Sequence, residues 1–166
     1  MLRSLTFALS AFCSMAFAAD MTENTLDAGK VSAQSKPITL LGQGVKLGDK
    51  APDFKVVDGS FTPITLADYQ GKAVLISVVP SLDTGVCSIQ TKHFNEKVAS
   101  QFPNIAMLTI SADFGQNYGL IIKDMGLLTR AVFVLDASHK VVYKQLVADL
   151  STEPKYDPVI SALNAL

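Results

Sequence analysis

The stretch AVLISVVPSLDTGVC, residues 73–87, decides the fold and the chemistry expected of the chain. Its first seven residues are uncharged and mostly branched aliphatic, which predicts a strand buried on both faces. Pro80 ends that strand, and Asp83 or Thr84 can cap the helix that follows. Cys87 then lies in the first helical turn, where unpaired N–H groups and the helix dipole favour a thiolate. The stretch predicts a reactive cysteine at the carboxyl end of a buried strand.

Length and composition limit the class of protein. A chain of 166 residues with 49% hydrophobic side chains can bury one good core, so we expect a single folded domain. The formal net charge is -1, from 14 basic and 15 acidic residues, and no block of like charge occurs. This balance argues against a nucleic-acid partner or an acidic membrane surface.

The first 18 residues have the pattern of a signal peptide. Arg3 gives a positive start, residues 5–17 form an uncharged apolar run, and Ala16-Phe17-Ala18 offers small residues where a signal peptidase cuts. The run is too short to serve as a stable membrane anchor. We therefore expect cleavage after Ala18 and export, with the periplasm as the destination.

Removal of the signal peptide leaves one cysteine in the mature chain. Cys13 would depart with residues 1–18; a lipid-attachment role for it is the weaker alternative, because bulky Phe12 precedes it. Cys87 then has no internal disulfide partner, so it is buried and inert, paired with another molecule, or reactive. Base rates favour an inert core cysteine, but its place after a buried strand, a proline and a capped turn favours reactivity.

The N-terminal part of the mature chain is expected to add small elements to one end of the domain. Residues 19–36 are polar and are predicted to form a flexible leader, with the domain over 37–166. A β-hairpin is predicted from Ile38 to Leu41 and Val45 to Leu47, around Gly42-Gln43-Gly44. A second is predicted around Asp58-Gly59.

The remaining segments predict an α/β sandwich of thioredoxin type, with a central mixed sheet, flanking helices and the N-terminal β-hairpin. A strand, a helix and a strand over residues 73–110 form a parallel crossover, which places Cys87 at a topological switch point. The sixteen residues from Phe114 to Thr129 hold one short helix. The other predicted elements are a helix from Cys87 to about Ser100, strands over Ile105–Ile110, Ala131–Leu135 and Val141–Leu146, and a helix around Tyr156–Leu163.

These residues also carry a family resemblance. The segment PSLDTGVC, residues 80–87, has the proline, threonine and cysteine spacing of the peroxiredoxin active site and resembles the thiol peroxidase subgroup in particular. The resemblance runs from about Leu40 to the C-terminus. Its other pieces are Ser111-Ala112-Asp113, Arg130 ahead of the strand Ala131–Asp136, Gln145-Leu146-Val147 and Thr152-Glu153-Pro154.

The resemblance implies an antioxidant enzyme, a thiol-dependent peroxidase whose redox-active centre is Cys87. Its substrates would be hydrogen peroxide and organic hydroperoxides, with no cofactor and no metal. Typical thiol peroxidases carry a resolving cysteine after the Ser-Ala-Asp strand, and this chain lacks it. By resemblance it is a shortened thiol peroxidase, recycled by a small thiol or a thioredoxin-like reductant. Because the family often dimerises, a homodimer is also a possible oligomeric state.

Ionisation of Cys87 alone is too small an effect for catalysis. A free thiol is roughly 3% ionised at pH 7, so full ionisation gains about thirtyfold, and donors aimed at the departing oxygen must supply the rest. We assign that role to the Thr84 hydroxyl, the Arg130 guanidinium and the amides of Val86 and Cys87, with Pro80 shielding the thiolate. Val86, Thr84 and Arg130 would also bind the peroxide.

Each assignment has an alternative. Thr84 could serve only as an N-cap, and an arginine at a strand start is more often solvated. His93 lies on the wrong side of the helix for a dyad with Cys87, and His139 is expected to be solvated in a polar turn. Asp83 receives no catalytic role.

Two other function classes stay open. The first is a non-turnover protein, either a redox sensor that forms a mixed disulfide or a degenerate peroxiredoxin-like binding protein. The loss of the resolving segment keeps this alternative alive. The second, a disulfide oxidoreductase, is weaker because no second cysteine follows Cys87 three places on.

Overall fold

A computed structural model describes residues 21–82, 85–111 and 114–166. The predicted signal peptide, residues 1–18, lies outside these described residues. Within them, no helix combines the length and the apolar composition needed to cross a bilayer.

Ten strands and three α-helices follow one another along the described chain. Single 3-10 turns cover Thr25–Asp27 and Leu66–Tyr69, and a π-helical turn, Phe94–Val98, extends the first α-helix. The elements are β1 (Ser32–Ala33), β2 (Lys36–Pro37), β3 (Leu40–Leu41), β4 (Lys55–Val57), β5 (Pro63–Thr65), β6 (Val74–Val78), α1 (Gly85–His93), β7 (Ala106–Ile110), α2 (Gly115–Tyr118), β8 (Ile121–Ile122), β9 (Ala131–Leu135), β10 (Val141–Leu146) and α3 (Tyr156–Asn164).

The central sheet has the order β10-β9-β6-β7. The β6 strand is parallel to β7 and antiparallel to β9, and β10 returns antiparallel to β9. All five residues of β6 and all five of β9 are buried, as expected for the two inner strands. The sheet is mixed, which confirms the predicted thioredoxin-like sandwich.

Alternate residues of the two inner strands face two different apolar clusters. On one face Ile76 and Phe133 join a cluster that includes Phe54 and Phe114. On the other face Leu75 and Val132 are among the residues that pack with α3 and the π-helical turn, and Gln90 of α1 bonds to Ser77 of β6. This period of two, with every residue of the two strands apolar except Ser77, is what a doubly covered strand requires. It also sets α1 and α3 on the face where the candidate site lies.

The N-terminal β-hairpin exists but uses different residues from those predicted. It is formed by β1 and β2, and its two turn residues, Gln34 and Ser35, both have positive φ. The predicted hairpin over Ile38–Leu41 and Val45–Leu47 is wrong, because β3 pairs with β8 instead. At Gly42 the chain lies so close to the Gln116 carbonyl that any Cβ would clash with it, so this glycine serves a close approach rather than a hairpin turn. The hairpin predicted around Asp58 is confirmed as β4 and β5.

Residues 21–36 are packed onto the domain, which corrects the prediction of a flexible leader over 19–36. The Asn24 amide donates to the Gly119 carbonyl at 2.8 Å and to the Asp27 carboxylate at 2.9 Å. Asp27 is 2% exposed, and its carboxylate accepts from the Lys144 ammonium of β10 at 2.7 Å. The segment is polar because it forms buried hydrogen bonds and an ion pair, rather than because it stays in solvent.

Replacing Asp27 with alanine is expected to lower the free energy of unfolding by about 3–5 kcal/mol, because it leaves the mostly buried Lys144 ammonium without its counter-charge. Burial raises the pKa of Asp27, but hydrogen bonds from Lys144, Asn24 and Lys30 and the charge of Lys144 outweigh it and hold the pKa below its ordinary value. The carboxylate therefore stabilises the fold fully above pH about 4 and less as the pH falls through its lowered pKa. Urea unfolding followed by circular dichroism, at neutral and acidic pH, measures both effects.

The matched control for this experiment is Lys30→Ala. Lys30 contacts the same carboxylate at 3.2 Å, but its side chain is 56% exposed, so its loss should cost under about 1 kcal/mol. Equal losses for Asp27→Ala and Lys30→Ala would contradict a buried role for the Asp27 and Lys144 pair.

Candidate active site

Strand β6 and helix α1 lie on either side of residues 79–84 as predicted. The Val79 amide, just past β6, donates to the Ile110 carbonyl at 3.0 Å, and Pro80 follows at a half-buried position. Helix α1 begins at Gly85, so Cys87 lies in its first turn. Asp83 and Thr84 fall outside the described residues, so the proposed cap and the Thr84 hydroxyl stay predictions.

Cys87 and Arg130 are in direct contact. The Nη2 of Arg130, directly before β9, donates to the Cys87 Sγ at 3.3 Å. Each of the two residues is 1% exposed. The alternative of a solvated arginine at a strand start is therefore excluded. Cys87 and Arg130, which were predicted to work together, are therefore in contact on the face of the sheet that α1 and α3 cover.

Two further groups fix the Arg130 guanidinium. The Gln90 Oε1 accepts from Nη1 at 2.6 Å, and the Leu150 carbonyl accepts from Nη2 at 3.1 Å. Gln90 is itself held, since its Nε2 donates to the Ser77 Oγ of β6 at 2.7 Å. A fork of donors bound at two acceptors has little freedom to rotate. The guanidinium is thus pre-oriented toward the sulfur.

Gln90 is a site residue that the sequence patterns above do not predict. Two signals could have found it: it follows Cys87 by three residues, on the same face of α1, and Ser77 is the one polar residue of the otherwise apolar β6. A buried hydroxyl in such a strand needs a hydrogen-bond partner, and Gln90 supplies it.

The charge of Arg130 has no carboxylate partner among the described residues, since none of their ion pairs includes it. Its neutral acceptors are Gln90 and Leu150, and its Nε has no hydrogen-bond partner there. Burying a cation without a counter-charge is costly. A Cys87 thiolate at 3.3 Å would supply that counter-charge. The local electrostatics therefore favour the ionised sulfur.

The Leu150 carbonyl is held in place by the N-terminal hairpin. Leu150 N–H donates to the Ser32 carbonyl at 3.1 Å, and Ser32 N–H donates to the Ala148 carbonyl at 2.7 Å. Strand β1 thus bonds the loop after β10 on both sides of Asp149. The loop in turn presents one of the two acceptors of Arg130.

The remaining predicted positions are partly placed. Val86 is half-buried in the first turn of α1 beside Cys87, so its amide belongs to the expected set of helix-start donors.

The His93 ring stacks on Tyr156 of α3, with centroids 3.6 Å apart and planes 11° apart. Burial, together with Lys97, lowers the pKa of His93, while Glu153 raises it. Because its ring stacks on Tyr156, His93 has a packing role, in agreement with the prediction that it forms no dyad with Cys87.

His139 differs from its prediction. It is 8% exposed rather than solvated, and its Nε2 lies 3.0 Å from the Tyr69 carbonyl. His139 has a positive φ, and its ring contacts the 3-10 turn that ends at Tyr69. No group of three or more metal-ligating side chains occurs in the described part of the chain.

Comparison with known proteins gives consistent matches. A model of the AhpC/TSA family matches residues 47–116. The chain is 42% identical over 161 residues to a thiol peroxidase of Oceanobacillus iheyensis, with 81% of this chain and 98% of that protein covered. It is 44% identical over 169 residues to a thiol peroxidase of Staphylococcus aureus, with 86% and 98% covered.

Among solved structures, a peroxiredoxin-like protein from Aquifex aeolicus matches with a TM-score of 0.77 and 30% identity, covering 83% of this chain and 97% of that one. A thiol peroxidase from Chromobacterium violaceum matches with a TM-score of 0.73 at 17% identity, covering 81% and 95%, which supports the fold alone.

The alignment lengths bear on the missing segment. The 161 positions aligned with the Oceanobacillus iheyensis protein exceed what 81% of a 166-residue chain can supply. That relative therefore has residues, inside the aligned region, with no counterpart here. The comparison is consistent with a chain that is shortened relative to the proteins it matches.

Proposed function

The chain belongs to the thiol peroxidases, thiol-dependent enzymes of the peroxiredoxin superfamily, and on this premise we propose that Cys87 is the sulfur that attacks the peroxide. The observation that carries the proposal is the contact of 3.3 Å between the Cys87 Sγ and the buried guanidinium of Arg130. That contact supports a thiolate and supplies a donor beside it. Access of the peroxide to Cys87, a residue that is 1% exposed, requires a local opening of the surrounding side chains.

In the first half of the cycle the thiolate attacks one peroxide oxygen. The S–O bond forms as the O–O bond breaks, so the sulfur is oxidised and the peroxide is reduced. The departing oxygen takes a proton and leaves as water, or as an alcohol from an organic hydroperoxide. Cys87 is left as a sulfenic acid.

Arg130 acts on both partners of this step. Its charge stabilises the thiolate before attack, and its N–H groups donate to the peroxide oxygens as negative charge builds on the departing one. Because Gln90 and Leu150 already hold the guanidinium, little reorganisation is needed when that charge develops. The Thr84 hydroxyl, the amides of Val86 and Cys87, and the shielding ring of Pro80 complete the proposed site.

The second half of the cycle needs a thiol from outside the chain, since no resolving cysteine follows Cys87. One external thiol condenses with the sulfenic acid to give a mixed disulfide and water. A second thiol, from the same reductant or another molecule of it, then releases the Cys87 thiol and forms a disulfide of the reductant. A small dithiol or a thioredoxin-like protein fits this role.

Location is a separate proposal. The Arg3 start, the apolar run over residues 5–17 and the Ala16-Phe17-Ala18 site support export and cleavage after Ala18, with action in the periplasm. The reductant would then be an exported thiol or thioredoxin-like protein.

Multiple turnovers decide between an enzyme and a sensor. With excess dithiothreitol, the purified protein is expected to consume many equivalents of hydrogen peroxide, because the external thiol replaces the missing resolving cysteine. Without a reductant it should consume about one equivalent, with the sulfenic acid trapped by dimedone and located by mass spectrometry. A single stoichiometric burst in the presence of dithiothreitol would instead support the redox sensor.

A further inference from the structure

The loop after β10, residues 147–155, contacts Arg130 at two points. The Val147 N–H donates to the Arg130 carbonyl at 3.0 Å. Further along the loop, the Leu150 carbonyl accepts from the Arg130 Nη2 at 3.1 Å. The first contact continues the pairing of β10 with the chain before β9, whereas the second is made by a peptide group outside the strands. The direction of the Leu150 carbonyl therefore depends on how this loop is held.

The Arg130 Nη2 is shared between that carbonyl and the sulfur. An Nη nitrogen carries two N–H groups, and the acceptors of this one are the Leu150 carbonyl and the Cys87 Sγ at 3.3 Å. Gln90 holds the other arm of the fork through Nη1. Displacing the Leu150 carbonyl would leave the guanidinium free to turn about its bond to Gln90, which changes the distance from Nη2 to the sulfur.

Asp149, the residue before Leu150, organises the loop through both its side chain and its carbonyl. Its Oδ1 accepts from the Ser151 N–H at 2.8 Å and from the Ser151 Oγ at 2.6 Å. Its carbonyl accepts from the Thr152 N–H at 3.0 Å and from the Thr152 Oγ1 at 2.9 Å. Bonds of this kind from an aspartate fix a turn over the residues that follow it. They all span Leu150, so they fix the peptide group that faces Arg130.

The Asp149 carboxylate also faces the turn of the N-terminal hairpin. Hydrogen bonds from the side chain and the backbone of Ser151 outweigh burial and, together with one from the backbone of Ser35, hold the pKa of Asp149 below its ordinary value. Gln34 and Ser35 have φ of 50° and 63°, a conformation that is uncommon for residues other than glycine. This turn presents the Ser35 N–H to Asp149, and Ser32 of β1 forms a parallel bridge with the same residue.

On the premise that Cys87 attacks the peroxide, we propose that Asp149 is a positioning residue for that step. Its carboxylate fixes the loop, the loop fixes the Leu150 carbonyl, and the carbonyl holds the Arg130 Nη2 at the sulfur. Asp149 acts through these groups, since no ion pair joins its carboxylate to the guanidinium in the described part of the chain. Its loss would leave the Cys87 thiolate with a less well-placed cation.

The sign of the effect separates positioning from a simple effect of charge. Removing a carboxylate near a thiol favours the thiolate, so loss of the Asp149 charge alone would let Cys87 ionise at a lower pH. Loss of the Arg130 contact disfavours the thiolate, so loss of positioning makes Cys87 ionise at a higher pH. Asp149→Ala removes both the charge and the hydrogen bonds, whereas Asp149→Asn removes the charge and keeps an acceptor for Ser151.

The test uses the full chain with Cys13→Ser, in which Cys87 is the one remaining cysteine. Thiolate absorbance against pH gives the pH of half-ionisation, and stopped-flow mixing with hydrogen peroxide gives the single-turnover rate. We expect Asp149→Ala to raise the pH of half-ionisation and to slow the reaction at least about fivefold, while Asp149→Asn stays within about twofold of the original rate. Ser151→Ala, an exposed change that removes the bond of 2.6 Å, should shift both quantities in the same direction as Asp149→Ala and carries the test if that variant does not fold.

Asp136 provides the matched control. Its Oδ1 accepts from the Ser138 N–H at 2.8 Å and from the Ser138 Oγ at 2.7 Å, the same pattern as at Asp149. It directly follows β9, however, whereas Arg130 directly precedes that strand. Asp136→Ala should therefore leave the thiol titration and the rate unchanged, and urea unfolding compares the stability of the two alanine variants.

Three results would overturn the positioning role: an unchanged titration and rate in Asp149→Ala, equal effects in Asp136→Ala, or an Asp149→Asn variant that behaves like Asp149→Ala. The thiol titration needs no peroxide, so it decides this role separately from the peroxidase activity. An unaltered protein that consumes no peroxide would overturn the proposed function alone.

Discussion

Replacing Cys87 with serine is expected to reduce dithiothreitol-dependent peroxide consumption by at least about a thousandfold, equivalent to about 4 kcal/mol of barrier. A serine hydroxyl stays protonated even beside the Arg130 guanidinium, and oxygen cannot form the sulfenic acid on which the cycle depends. Initial rates of hydrogen peroxide loss, measured with a fluorogenic peroxide probe, give the comparison.

The control for this variant is Ser88→Ala. Ser88 is the next residue of α1, is exposed, and donates only a long hydrogen bond of 3.4 Å to the Leu82 carbonyl. Its replacement should leave the rate within about twofold. Appreciable turnover by Cys87→Ser, with circular dichroism unchanged, would rule out Cys87 as the attacking sulfur.

Replacing Arg130 with alanine should slow the reaction of Cys87 with hydrogen peroxide at least about tenfold, or about 1.4 kcal/mol of barrier. The variant loses the charge at 3.3 Å from the sulfur and the donors for the departing oxygen. Arg130→Lys should be intermediate, because an ammonium keeps the charge but not the fork that bonds to Gln90 and Leu150. Stopped-flow measurements in single turnover isolate this step from recycling.

Stability must be measured on the same variants, since Arg130 is buried and its removal leaves the buried Gln90 Oε1 without the donor Arg130 Nη1. We expect Arg130→Ala to lower the free energy of unfolding by about 1–3 kcal/mol. Lys92→Ala, an exposed cation on the same helix, is the control and should change neither quantity. A folded Arg130→Ala protein that reacts at the original rate would remove Arg130 from the site.

The inner part of the fold could be predicted from the sequence, because its strands are uncharged and bounded by clear breaks. Residues 73–79 end at a proline, and the strand over 131–135 is followed by a polar turn. The pairing of β3 could not be predicted from the sequence, because Gly42-Gln43-Gly44 has the local pattern of a hairpin turn. The observed partner of β3 is β8, which lies far along the chain. Local turn signals cannot report on a strand so distant in sequence.

The site was predictable to a similar extent. Cys87 followed from its position, and Arg130 followed from the family resemblance. The two acceptors of the guanidinium were not found, because a backbone carbonyl such as that of Leu150 has no sequence signature and a helical glutamine is usually exposed. The role of Thr84, which falls outside the described residues, stays a prediction.

The bonds between β1 and the loop that holds Leu150 affect how the protein should be prepared. A version trimmed to begin at residue 37 would keep every side chain proposed to touch peroxide, yet it would lose the strand that bonds to Leu150. The Leu150 carbonyl, which accepts from the Arg130 guanidinium, would then lie on a loop without its support from β1. The positive charge beside the Cys87 sulfur would be less firmly positioned. The choice of starting residue for expression is therefore also a choice about reactivity.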